Sequence, residues 1–111
     1  MPAARTIEIA EIKYPSDVVQ FRYGRYLSDD GQRWIRHGQY REFYENEQVA
    51  SEGEYADGLE QGLWRDYHEN GQVAAEGHFV DGAEDGVWQF WNARGKAEET
   101  IVYREGVEVE S

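Results

Sequence analysis

The chain repeats itself every 24 residues, and this period constrains its fold more than any local motif does. Gly38, Gly62 and Gly86 each open a unit that reads Gly-x-aromatic-x-x-aromatic. The first aromatic position holds Tyr40, Trp64 and Trp88, and the second holds Phe43, Tyr67 and Trp91. Repetition at a fixed period of about 20 to 50 residues indicates a stack of similar supersecondary units. Such a stack favours a function in surface recognition over one in a catalytic pocket.

Each unit has the pattern of two short strands joined by a turn. In the second unit the sequence predicts strands over 63–68 and 72–80, joined at Asn70-Gly71 by a type I′ turn, because both residues tolerate positive φ. Corresponding turns are predicted near 46–47 and 94–95, and residues 32–104 should be almost entirely antiparallel strand. Glycines recur inside every candidate segment, which argues against helices. The sequence therefore predicts an all-β fold of consecutive hairpins.

Alternation along the second strand predicts which residues face the core. Val73, Ala75, Gly77 and Phe79 should share one face, with Glu76 on the other. The recurrence of Gly77 as Gly53 suggests room for a ring from a neighbouring strand. Trp64 and Trp88 are the natural occupants, and we expect them to be the most buried side chains of their units. Trp64 and Tyr67 are three residues apart, so either the strand bulges there or both faces carry aromatic rings.

The N-terminal part is irregular but compatible with the same sheet. Strands are predicted over 6–14 and 18–27, separated by a break at 15–17, and one longer strand is predicted over 32–44. We expect a single domain, in which residues 1–31 form strands that cap the repeats. Residues 32–111 would hold the repeats, with units starting at 38, 62 and 86, and a C-terminal cap. The last unit departs from the pattern, as terminal repeats commonly do.

Charge is spread unevenly along the 111 residues, whose formal net charge is −12. Residues 42–111 carry four Lys/Arg against 18 Asp/Glu, a balance of −14. Such a field repels phosphate backbones and anionic lipid headgroups and attracts cationic surfaces. No cysteine is present, and no segment resembles a signal peptide or a membrane span. We therefore expect a cytoplasmic protein that binds no nucleic acid.

Motifs for catalysis or metal binding are absent from the pattern. His37, His68 and His78 lie at different positions of their units, and no serine stands in a nucleophile motif. The stretch 81–86 resembles a calcium loop, but it lacks the alternating oxygen ligands and the terminal glutamate of one. We expect no catalytic, cofactor-binding or metal-binding residues.

The repeat resembles the MORN repeat (membrane occupation and recognition nexus), above all the bacterial variant often described as a toxin–antitoxin system antitoxin component. The matching text runs from Glu52-Gly53-Glu54-Tyr55 to Asn70-Gly71 and again from Glu76-Gly77-His78-Phe79 to Arg94-Gly95. The resemblance implies an elongated, twisted antiparallel sheet of consecutive hairpins, often grooved along one face. It also implies protein–protein binding, with membrane association in some members and dimerisation in others.

These observations predict a non-catalytic protein–protein interaction module that binds a basic protein surface, as an antitoxin, an immunity protein or a complex-assembly adaptor. A membrane-associated scaffold is the second alternative and a small enzyme the third. A single-layer sheet cannot bury all its rings, so an acidic, aromatic-bearing face should bind the partner. The predicted protein-binding residues are Glu52, Glu54, Trp64, Tyr67, Glu76 and Trp91. The open edges, over 6–14 and 107–110, are expected to support a homodimer or strand addition by a partner.

Overall fold

The computed structural model of the chain describes residues 5–109, and these form one open antiparallel sheet of nine strands in chain order. The strands are β1 (Glu8–Lys13), β2 (Val19–Leu27), β3 (Trp34–Phe43), β4 (Val49–Ala56), β5 (Leu59–Tyr67), β6 (Val73–Val80), β7 (Ala83–Trp91), β8 (Ala97–Arg104) and β9 (Val107–Val109). No helix occurs in this part of the chain. The sheet measures 47 × 38 × 18 Å. The all-β prediction is confirmed, and so are the turns near 46–47, 70–71 and 94–95; the predicted edge residue Glu110 lies outside the described residues.

Two kinds of turn alternate from β3 to β9. Asp57 and Gly58 join β4 to β5 with φ of 49° and 90°, which is the type I′ geometry. At the other end Gly71 alone is left-handed, and its N–H donates to the His68 carbonyl at 2.9 Å. This is a three-residue loop, in which a type I turn is followed by a bulge glycine. The type I′ assignment to Asn70-Gly71 was therefore wrong.

Asn70 has a structural role that explains this turn. Its side-chain oxygen accepts the Gln72 N–H at 3.0 Å, and its amide nitrogen donates to the Ala93 carbonyl at 2.6 Å. Asn46 repeats both bonds, to Gln48 and Glu69. The asparagine thus ties its own turn to the turn of the next unit.

The glycine that opens each unit is a bulge residue. Glu52 pairs with Arg65 and Glu54 pairs with Gln61, so the three residues 62–64 stand opposite the single residue Gly53. Gly62 has a φ of 74°, a conformation that other residues adopt only with strain. The extra residues bring the indole of Trp64 over the backbone of Gly53, where a Cβ atom would overlap the ring. Gly86 and Trp88 repeat this arrangement over Gly77.

The sheet has two chemically different faces. We call the face that carries Tyr40, Trp64 and Trp88 the aromatic face, and the face that carries Arg41, Glu52, Arg65 and Glu76 the polar face. Cross-strand partners lie on the same face of a sheet, so the register assigns the remaining residues. Rings occur on both faces, because Tyr67 lies two residues after Arg65 on the polar face. A register shift between Asp66 and Tyr67 also bulges the strand there, so both alternatives left open by the sequence hold.

The core is a ladder of rings on the aromatic face. Trp64 and Trp88 are each 7% exposed and Tyr40 is 8% exposed. The two tryptophans are buried as predicted, but Trp64 is not the most buried side chain of its unit, since Ala75 is 5% exposed. The ring of Tyr55 packs against Trp64, and the ring of Phe79 packs between Trp64 and Trp88. In these three pairs the ring centroids are 5.1–5.8 Å apart and the ring planes are nearly perpendicular. Edge-to-face pairs of this kind stabilise a core beyond the area they bury. Each indole N–H donates to a backbone carbonyl at 3.1 Å, that of Glu54 or of His78.

Candidate functional site

The aromatic face keeps part of its ring surface open to solvent. Six rings pack against the buried ladder but remain partly exposed: Phe21, Tyr23, Tyr55, Phe79, Phe90 and Tyr103. A single layer of strands has nothing to cover them from the other side. The prediction that some rings stay partly exposed is confirmed, and these six are the rings that a partner could reach.

A row of carboxylates runs beside these rings, one in each unit. Glu60 is the cross-strand partner of Tyr55, Glu84 of Phe79 and Glu108 of Tyr103. We call these three glutamates the acidic row. None of them forms an ion pair with any residue of 5–109. Sequence reasoning missed the acidic row, although its members recur every 24 residues and that spacing could have revealed them.

Further carboxylates line the opposite side of the ladder. Glu42 pairs with Phe21 and Glu99 pairs with Phe90, and both therefore face the same way as the rings. Asp66 lies between them and accepts the Ser51 hydroxyl at 2.7 Å. The ring ladder is thus bordered by negative charge on both sides.

The pKa values of the tyrosines follow from this surrounding. Burial raises the pKa of Tyr40 to about 12, and the nearby charge of Glu42 adds to the effect. Burial also raises the pKa of Tyr55, assisted by Glu60, and that of Tyr103, assisted by Glu84 and other carboxylates. Both causes disfavour a phenolate. Tyr40, Tyr55 and Tyr103 therefore stay neutral at physiological pH.

The polar face carries a cross-strand line of paired side chains. Its members are Glu11, Arg22, Arg41, Glu52, Arg65, Glu76, Gln89 and Thr100, each registered with the next. Arg41 lies 3.4 Å from Glu52 and Arg65 lies 2.8 Å from Glu76. The hydroxyl of Tyr67 donates to Glu52. Burial raises the pKa of Tyr67, and this hydrogen bond raises it further. The charges on this line are largely matched within the protein.

The six residues predicted from the sequence do not share one face. Trp64 belongs to the aromatic face and is buried there, whereas Glu52, Glu54, Tyr67 and Glu76 belong to the polar face. Glu52 and Glu76 are 29% and 35% exposed and are held by arginines, but Glu54 is exposed and has no ion pair within 5–109. Trp91, which ends β7 at the position equivalent to Tyr67, is partly buried. The structure thus separates the predicted glutamates from Trp64.

The histidines take part in backbone hydrogen bonds. His68 Nε2 donates to the Trp91 carbonyl at 2.9 Å, and His37 Nδ1 accepts the Asp57 N–H at 3.0 Å. His78 is exposed. Within the described residues no three His, Cys, Asp or Glu side chains converge as metal ligands, and no helix is long and apolar enough to cross a membrane.

The comparison with protein families matches the two units in the middle of the sheet. Residues 36–57 and 60–81 match a family model described as a MORN repeat variant. Each match covers one strand, its three-residue loop, the next strand and the first residue of the following Asp-Gly turn. Repeats of this kind are generally protein-binding or membrane-binding modules. No curated protein matches the chain.

The MORN repeat match accounts for the residues that make the ring ladder. Gly53 and Gly77, with the rings of Trp64 and Phe79, lie inside or directly beside the two matched segments. The third unit lies outside the matches, yet Trp88 and Tyr103 continue the ladder with the same geometry. The aromatic face is therefore one continuous surface over three units.

Proposed function

We propose that this protein is a non-catalytic protein-binding module whose aromatic face takes a basic surface of a partner protein. The observation that carries the proposal is the acidic row, whose three carboxylates form no ion pair within residues 5–109 and each stand beside a partly exposed ring. A lysine or arginine fits such a pair, because its charge can meet the carboxylate while its stem or cation lies on the ring. The spacing of the units repeats this arrangement three times.

The proposed partner is a protein because the other large surfaces in a cell carry the wrong charge. Nucleic acids and anionic membranes are polyanions, and the formal net charge of −12 opposes their approach. A basic protein surface is attracted by the same field, which raises its association rate. The match to repeats that generally bind proteins or membranes is compatible with this choice.

The setting that we propose is an antitoxin, an immunity protein or a complex-assembly adaptor in the cytoplasm. All three act by occupying a partner's surface, and none requires chemistry from the module itself. The absence of cysteine means that folding does not depend on an oxidising compartment.

The experiment compares two charge reversals of equal size on opposite faces. A partner captured from host lysate is purified, and its binding is measured by surface plasmon resonance at several salt concentrations. Glu60→Lys with Glu84→Lys should slow association and weaken its salt dependence, because the row facing the rings has changed sign. The matched control is Glu54→Lys with Glu98→Lys, which reverses two exposed carboxylates of the polar face without breaking an ion pair within 5–109.

The outcomes separate the two faces. Slower association that is confined to the Glu60/Glu84 variant supports the aromatic face as the binding surface. Loss of binding confined to the Glu54/Glu98 variant would instead assign binding to the polar face, which carries the predicted residues Glu52, Glu54, Tyr67 and Glu76. An acidic partner, or binding that ignores both variants and salt, contradicts the proposal.

A membrane-associated scaffold is tested with the same protein. Vesicles of phosphatidylcholine, with and without phosphatidylglycerol, are floated in a density gradient with the wild-type chain. We expect the protein to stay at the bottom with both compositions. Flotation with either would favour the scaffold.

A further inference from the structure

One position of the repeat changes its sign of charge along the aromatic face. Glu60, Glu84 and Glu108 are spaced by 24 residues, and the corresponding residue of the preceding unit is Arg36. The guanidinium of Arg36 lies 5.1 Å from the ring centroid of Tyr23 and 5.6 Å from that of Tyr55. Arg36 is exposed and forms no ion pair with any residue of 5–109. The row of negative charge therefore begins with an unmatched positive charge.

Arg36 lines an open cleft of about 530 Å³ at the end of the sheet where β2 meets β3. Three arginines share this cleft, namely Arg25, Arg33 and Arg36, together with Trp34, Ile35 and Leu59. Asp57 also lines it, but its carboxylate accepts the Tyr26 hydroxyl at 2.6 Å and lies 3.2 Å from the Arg5 guanidinium, so its charge is already met. Trp34 is 47% exposed, unusually high for a tryptophan. The cleft is thus both cationic and apolar in a chain that is otherwise strongly acidic.

Arg25 supplies a second indication that the cleft is built for a ligand. Its guanidinium stacks 4.0 Å from the centre of the Trp34 ring, and its Nη2 donates to Glu8 at 2.8 Å. Its Nε is buried without any acceptor among the residues described. A buried donor without a partner destabilises a protein, so such a group is expected where it serves another purpose.

We propose that this cleft binds a single carboxylate group of the partner segment, an inference that rests on the proposed function. Guanidinium groups pair with carboxylates and phosphates alike. The field of a chain with net charge −12 opposes a phosphate dianion more than a monovalent carboxylate. The apolar walls Ile35, Trp34 and Leu59 also suit an amino-acid residue attached to that carboxylate.

The carboxylate site gives the aromatic face a direction. A segment lying along the rings would place its anionic group at Arg36 and its cationic groups at the acidic row. The reverse orientation would bring like charges together at both ends. Such an arrangement selects orientation by repulsion as well as by attraction.

The test uses small probes with the intact protein and no partner. N-acetylglycine represents a chain terminus and N-acetylglutamate amide a side chain, whereas N-acetylglycine amide is the neutral control and inorganic phosphate the rival anion. Nuclear magnetic resonance follows the four indole N–H signals at constant ionic strength, adjusted with sodium chloride. We expect one or both carboxylates to shift the Trp34 signal saturably, while the signals of Trp64, Trp88 and Trp91 stay in place. The stronger of the two carboxylates identifies the source.

Variants assign the effect to the arginines. Arg36→Gln should weaken carboxylate binding by about five-fold or more, since a charge-assisted hydrogen bond is lost. Arg33→Gln should act in the same direction and leaves the Arg36 ring contacts intact, so it serves if Arg36→Gln does not fold. Arg104→Gln removes an exposed arginine of β8 and should have no effect.

Each remaining outcome overturns the inference. It fails if Trp34 responds equally to the neutral amide, if the arginine variants bind as tightly as wild type, or if phosphate saturates the site at lower concentration than both carboxylates. These results concern the cleft alone. Failure of the proposed function is detected separately, by the Glu60/Glu84 variant with the partner.

Discussion

The indole of Trp88 occupies the space that a side chain on Gly77 would need. Trp64 lies over Gly53 in the same way, so the core of these two units is a contact between a ring and a bare backbone. The sequence predicts this pairing because the glycines and tryptophans recur together. It could not predict which tryptophan lies over which glycine, since that depends on the bulge at Gly62 and Gly86.

Substitution of Gly77 by alanine tests this packing. The added Cβ would overlap the Trp88 ring, so we expect a loss of about 1–3 kcal/mol in the free energy of unfolding. Urea denaturation followed by circular dichroism measures it. Glu54→Ala, which changes an exposed side chain of β4 that forms no hydrogen bond or ion pair within 5–109, is the control and should change stability far less. Equal stability of Gly77→Ala and wild type would show that the ring has room to move.

Truncation of the ring is the complementary change. Trp64→Ala should destabilise the protein by about 3–5 kcal/mol, as large-to-small core substitutions commonly do. The thermal melting temperature reports the loss. A melting temperature unchanged from wild type would contradict the assignment of Trp64 to the core.

The raised pKa of Tyr40 makes stability depend on pH in the alkaline range. Burial raises this pKa from 10.0 to about 12, so the folded state keeps the proton that the unfolded state releases. The stabilisation is complete below about pH 10 and is lost as the pH rises through about 12, and it amounts to about 2–3 kcal/mol. Urea denaturation at pH 9 to 11.5 should show this decline, and Tyr40→Phe should make it shallower. An identical decline in the variant would assign it to other tyrosines.

Among the elements, the turns carry the contacts that join one unit to the next. Asn46 reaches the carbonyl of Glu69, and Asn70 reaches that of Ala93. The hydroxyl of Tyr44 donates to the Tyr67 carbonyl at 2.6 Å. His68, 24 residues later, makes the equivalent bond to the Trp91 carbonyl. The positions of all these turns follow from the sequence, whereas their type does not. Asn-Gly favours type I′ as an isolated pair, but the same three-residue loop forms at 93–95, where Arg94 takes the place of the asparagine.

Replacement of Asn70 by alanine removes both bonds of that side chain. We expect a loss of about 1–2 kcal/mol, because each hydrogen bond contributes roughly 0.5–1.5 kcal/mol. Differential scanning calorimetry measures it, with Glu69→Ala in the same loop as the control. If both variants melt together, the link between the turns adds nothing to stability.

At the scale of the whole molecule, residues 5–109 form an open sheet in which the edge strands β1 and β9 are each paired on one side only. β9 has three residues and only one neighbour, whereas β5 and β6 are paired on both sides. Amide hydrogen exchange should therefore be fastest in β9 and slowest in β5 and β6, since local opening costs least where few contacts must be broken. Mass spectrometry of peptic fragments gives the order. Equal protection across the sheet would indicate that it opens only as a whole.

The edges also remain our proposed route to a homodimer. Ile9 and Val107 are 62% and 65% exposed at the two edges, and edge strands offer unpaired backbone groups. Light scattering over a range of concentrations should show a mass that rises towards twice 12.9 kDa. A constant monomer mass, with a partner that touches neither edge, removes the proposal.

For the sheet as a whole, the architecture could be predicted from the sequence better than the candidate site could. The 24-residue period and the alternation of side chains along each strand predict the ring ladder, because both depend only on the spacing of residues within the repeat. The faces of Glu52 and Glu76 were also predicted correctly, as opposite to Gly77. The ion pairs of these glutamates with Arg41 and Arg65 could not be predicted, because they depend on the register across the bulges. The 24-residue spacing of the acidic row is visible in the sequence, but its place on the aromatic face depends on the same register.

The pair of strands β5 and β6 recurs as β7 and β8 with the same register, bulge and turns. Each such pair widens the sheet by two strand spacings, roughly 10 Å. Insertion or deletion of one whole unit would therefore lengthen or shorten the aromatic face by a fixed step and leave every remaining ring contact unchanged. The number of units then determines the length of partner segment that the aromatic face can hold. Each unit adds one glutamate of the acidic row and the ring beside it.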